Sequence, residues 1–96
     1  MRYSEIKQFI IEALSPYRPE KIGIFGSYSR EQDRKNSDLD VLVRFGITPS
    51  FIQLIELENK LSEKLGISVD LVTEGAIKNQ RIKKSIEQDL DVIYEV

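Results

Sequence analysis

Two short apolar runs, residues 22–25 and 39–45, flank a polar connector in the stretch KIGIFGSYSREQDRKNSDLDVLVRF, and no other feature constrains the fold as much. Both runs are rich in Ile, Val and Phe and are bounded by Gly, Ser and Asn, the pattern of two strands. Side chains alternate faces along a strand. Asp38 and Asp40 therefore share one face with Leu42 and Arg44, while Leu39, Val41, Val43 and Phe45 form a core face. Two carboxylates side by side repel, and keeping them together is costly unless a cation sits between them. Arg44, on the same face, is expected to balance the pair.

The corner after the first run supplies complementary chemistry. Gly26 lets the backbone turn sharply and approach a ligand closely, and Ser27 adds a hydroxyl donor. A helix beginning near Tyr28 would present free N–H groups and a positive dipole end to a phosphate. One nucleotide can touch both places only if the end of the first strand lies beside the start of the second. A right-handed parallel crossover would separate them, so antiparallel neighbours joined by a short helical connector are expected.

The chain contains neither histidine nor cysteine. That excludes a Ser-His-Asp triad, a histidine general base, a zinc site of the usual Cys/His kind and any disulfide. A metal, if used, must be a hard ion held by oxygen, which favours Mg²⁺ or Mn²⁺. The 96 residues are expected to form one domain, 1–96, with a modest core. A net charge of −2 argues against a general nucleic-acid surface. No run approaches the roughly 20 apolar residues of a membrane span, and MRYSEIKQ lacks the apolar centre of a signal peptide. A cytoplasmic setting, with no direct nucleic-acid or membrane partner, is the expectation.

In chain order, Ile6, Phe9, Ile10, Ala13 and Leu14 lie on one helical stripe over residues 3–14, with Ser4 as cap and Pro16 and Pro19 beyond. Thr48-Pro49 reads as cap and first residue of a second amphipathic helix. That helix carries Phe51, Leu54, Ile55, Glu58, Leu61 and Leu65 and is closed by Gly66. Residues 68–73 read as a strand containing Asp70, 77–88 as a helix and 91–96 as a last strand. With the connector helix the order is α-β-α-β-α-β-α-β, an α/β two-layer fold with helices packed on a small mixed sheet.

GSYSR, the ten residues from Tyr28 to Ser37, and SDLD together resemble the signature of the DNA polymerase beta-type nucleotidyltransferase superfamily. At this size the chain is most similar to its minimal nucleotidyltransferase branch, the MntA-like antitoxins paired with HEPN toxins. The resemblance implies that Gly26 and Ser27 hold the triphosphate, that Asp38 and Asp40 bind metal, and that Asp70 is the third acidic residue. It implies a Mg²⁺-dependent enzyme using ATP and transferring AMP to a tyrosine of a cognate HEPN ribonuclease toxin. Two metal ions about 4 Å apart would be bridged by Asp38 and Asp40, with Asp70 on the acceptor side. Two positions depart from the pattern: Ser29 stands where alanine is common, and Glu31 where many relatives carry glycine.

Each residue also has a plainer reading. Arg30 is either a triphosphate contact or a solvated surface arginine. A carboxylate within Val-Asp-Leu-Val is disfavoured in a strand, so Asp70 is either a site residue or a solvent-facing residue on an edge. Functional alternatives are a non-catalytic antitoxin that occludes its partner, or a transferase acting on a small molecule or RNA.

Overall fold

The computed structural model describes residues 2–26, 28–29 and 38–96. Helix α1 (Tyr3–Leu14) buries Ile6, Ile10 and Leu14 along its stripe. Its N-cap is Arg2, whose N–H donates to Glu5 Oε1 at 3.1 Å, so Ser4 falls inside the first turn instead of capping it. A single turn of 3₁₀ helix (Ser15–Tyr17) then leads into strand β1 (Pro19–Phe25).

Strand β2 (Leu39–Phe45) lies antiparallel to β1, as two neighbours sharing one ligand would require. Leu39, Val41, Val43 and Phe45 are buried, as the alternation predicts. Leu42, on the opposite face, is buried as well. Its cross-strand partner Gly23 carries no side chain, and Leu90 fills the space where a Cβ there would stand. The expected connector helix falls on residues 28–37, of which only Tyr28 and Ser29 are described, and those two form a turn.

Helix α2 (Phe51–Leu65) starts two residues later than Thr48-Pro49 suggests. Ser50 competes successfully for the cap: its Oγ accepts from the Gln53 N–H at 3.2 Å, and its own N–H donates to Gln53 Oε1 at 3.0 Å. This reciprocal box satisfies two donors that Thr48 would leave free. Gly66 ends the helix in the left-handed region at φ 69°.

Strand β3 (Val69–Thr73) runs parallel to β2. Helix α3 (Gln80–Asp89) begins later than Ile77 because Asn79 Oδ1 accepts from the N–H groups of Arg81 and Ile82, at 2.9 and 3.2 Å. Strand β4 (Asp91–Glu95) completes a mixed sheet of order β3-β2-β1-β4. The core lies between one face of this sheet and helices α1 and α2, where Ile10, Leu14, Ile22, Ile24, Leu39, Val41, Val43 and Leu61 are fully buried. Tyr3 Oη donates to Asp91 Oδ2 at 2.8 Å and ties α1 to β4.

Candidate active site

Strand register assembles the site. Phe25, the last residue of β1, is the cross-strand partner of Asp40, and Asp40 is the partner of Asp70 across the parallel β2–β3 pair. The ends of three adjacent strands therefore bring Gly26, Asp40 and Asp70 to one edge of the fold. Asp38 immediately precedes β2 and is exposed, Asp40 is partly buried, and Asp70 is exposed on an edge strand. The plainer reading of Asp70 is thus correct about its exposure, yet its place in the register puts it beside Asp40.

The corner needs glycine for two reasons. Gly26 has φ 73°, a conformation that L side chains rarely adopt, and a Cβ there would stand 2.5 Å from Asp40 Oδ2. The absent side chain leaves the volume into which the Asp40 carboxylate projects.

The three acids share one electrostatic field. The Asp40 carboxyl is pushed up from 3.8 to about 6, first by burial, then by the charge of Asp70, by a side-chain hydrogen bond with Asp70, and last by the charge of Asp38. A hydrogen bond between two carboxyl groups requires one of them to hold a proton. The repulsion expected between Asp38 and Asp40 is therefore present, but it is the smallest of these causes. Among the described residues, no three acidic side chains already converge as a preformed cation cage. Asp40 and Asp70 are in contact, and Asp38 acts through its charge. Such a set, all oxygen and with no cation paired to it among the described residues, fits a hard divalent cation, whose charge would offset the negative charge crowded around Asp40.

Arg44 does not balance these carboxylates, contrary to the expectation from their shared face. Its guanidinium lies 3.5 Å from Glu20, 3.9 Å from Glu74 and 3.6 Å from Glu95. Four residues of strand carry it about 13 Å beyond Asp40, where other elements supply its partners. Alternation correctly placed it on the face but could not say which acids reach it.

Ser27 and Arg30 lie outside the described residues. Beside them, Tyr28 is buried in the core and the Ser29 hydroxyl donates to the Asp89 carbonyl oxygen. That bond joins the start of the connector to the end of α3, and no periodicity in the sequence signals it.

Comparison with known proteins finds relatives in both sequence and fold. A relative from Thermococcus cleftensis, the protein adenylyltransferase MntA, is 46% identical over 74 residues, covering 77% of this chain and 72% of the relative. A relative from Methanocaldococcus jannaschii, provisionally named a protein adenylyltransferase, is 55% identical over 74 residues, covering 77% of this chain and 76% of the relative. Among solved structures, a toxin–antitoxin crystal structure with AMP-PNP contains a chain that superposes with a TM-score of 0.83 at 27% identity, over 94% of this chain and 73% of that one. The family model described as Nucleotidyltransferase domain matches residues 4–93. With nearly every residue inside that match, the chain belongs to the nucleotidyltransferase domain family, a family of enzymes.

Proposed function

We propose that this chain is a Mg²⁺-dependent antitoxin that transfers AMP from ATP to a tyrosine of a cognate HEPN ribonuclease toxin. The observation that carries the reading is the register Phe25–Asp40–Asp70, which brings a glycine corner and two carboxylates, with Asp38 just before β2, to one end of the sheet. The family match supports nucleotidyl transfer. The names of the adenylyltransferase relatives and the AMP-PNP of the toxin–antitoxin structure support the donor and the kind of partner.

In this reading Gly26 and Ser27 bind the triphosphate, and Arg30 adds a positive charge beside it. Asp38, Asp40 and Asp70 would hold Mg²⁺, which when bound supplies positive charge opposite the phosphate oxygens. The acceptor's phenol oxygen attacks the α-phosphorus, the bond to the β-phosphate oxygen breaks, and pyrophosphate leaves. A carboxylate oxygen of Asp70, exposed on β3, takes the phenol proton. The protein thus works mainly by positioning and by stabilising charge.

Incubation with ATP, Mg²⁺ and the partner, followed by mass spectrometry of the partner, tests this. The expected result is a partner heavier by one or more AMP groups on tyrosine, silenced by less than one equivalent of this protein. Full inhibition at equal stoichiometry with unchanged partner mass would replace the reading with occlusion.

A further inference from the structure

Helix α2 buries Leu57 and Leu61 in the core, but the residue following each of them turns to the backbone of β3. Ser62 Oγ accepts the N–H of Val69 at 2.9 Å, and Glu58 Oε2 accepts the N–H of Leu71 at 2.7 Å. These two N–H groups flank Asp70. On the inner side the Leu39 N–H bonds the Ser68 carbonyl at 2.8 Å, so the alternate residues Val69 and Leu71 direct their backbone groups outward. Since β3 is an edge strand, those groups would otherwise be open to solvent or to another strand.

The fit is dimensional as well as chemical. Four residues of α-helix rise about 6.0 Å, and two residues of strand span about 6.6 Å. The i, i+4 pair of acceptors on α2 therefore meets the i, i+2 pair of donors on β3. Val69 packs into the core beside Leu57 and Leu61, so alternation sends the Asp70 side chain to the opposite face of the sheet. Glu58 thus reaches Asp70 through the backbone and not through its carboxylate. A slip of β3 by one residue would break both bonds and turn Asp70 toward the core.

We infer that Glu58 and Ser62 are positioning residues that clamp the outer edge of β3 and hold Asp70 in register with Asp40. The catalytic consequence rests on the proposed role of Asp70 at the acceptor. It also explains a sequence oddity, since Glu58 interrupts an otherwise apolar stripe and its charged oxygen makes a stronger acceptor than a neutral one.

The test uses the full chain as wild type, Glu58→Ala, Glu58→Gln, Ser62→Ala and Asp70→Asn. Amide hydrogen exchange is read at Val69 and Leu71 in the free protein, and kcat and KM with Mg-ATP and the cognate toxin. In Glu58→Ala the Leu71 amide should exchange at least about tenfold faster while the amides of β1 keep their protection. Its kcat should fall by about 10- to 100-fold, as expected for a misplaced catalytic group, with KM for ATP little changed. Glu58→Gln, which keeps an accepting oxygen but loses its charge, should fall between wild type and Glu58→Ala in both. Ser62→Ala should loosen Val69 selectively. Unchanged Leu71 exchange in Glu58→Ala, equal damage from Gln and Ala, or exchange rising throughout the sheet would overturn the clamp. If Asp70→Asn leaves kcat unaffected, the proposed role of Asp70 fails, while Leu71 exchange still decides the clamp.

Discussion

A Cβ at Gly26 would stand 2.5 Å from Asp40 Oδ2, so the residue that turns the chain out of β1 also makes room for the central carboxylate of the site. Turn and carboxylate lie 14 positions apart in the chain and meet because Phe25 pairs with Asp40. Gly66 is a natural control. It shares the left-handed conformation, with φ 69°, but has nothing within 4 Å of its missing Cβ.

Gly26→Ala and Gly66→Ala should therefore destabilise the fold by similar amounts from backbone strain, about 1–2 kcal/mol each. Only Gly26→Ala should also displace Asp40 and lower kcat/KM, by at least about tenfold. Thermal unfolding beside transferase kinetics on both variants checks this. Equal losses of activity would remove the steric argument for Gly26.

The raised Asp40 carboxyl makes the metal-free protein sensitive to pH. A folded-state value above the unfolded one means that the folded protein binds the proton more tightly. The group's stabilising contribution is fully present below 3.8 and is lost as pH rises through about 6. Urea midpoints measured in chelator should show this component falling across that window, and Asp40→Asn should abolish it. A component that rises with pH, or one that survives Asp40→Asn, would contradict the assignment.

Removing the divalent ion should weaken nucleotide binding, and so should Asp38→Asn or Asp40→Asn. Neither substitution should unfold the protein, because each removes charge from a crowded acidic cluster. Calorimetric titration with ATP, with and without Mg²⁺, gives the answer. Full Mg-ATP affinity in the double variant would rule out the carboxylates as its site.

Arg44→Ala should leave turnover and nucleotide affinity unchanged, because its partners Glu20, Glu74 and Glu95 lie away from the aspartates. The stability cost should be about 0–1 kcal/mol, as for other ion pairs at a surface. A large fall in activity would restore the link between Arg44 and the acidic pair.

Much of the architecture could be read from local chemistry. Period-two alternation marked the core face of β2, period 3.6 marked α1 over its full length, and Gly66 marked the end of α2, because each depends on neighbours within a few positions. Helix starts were harder. Ser50 and Asn79 displaced the expected onsets because several nearby polar residues competed to satisfy the same free N–H groups. Asp38, Asp40 and Asp70 stood out as candidates because carboxylates are out of place in or beside apolar strands. Their mutual arrangement was another matter. Which acid presses on Asp40, which acids hold Arg44, and why Glu58 interrupts its stripe all depend on strand order and register. Those are set when residues distant in the chain pack together, and a pattern of neighbours along one strand or helix carries no record of what lies across from it.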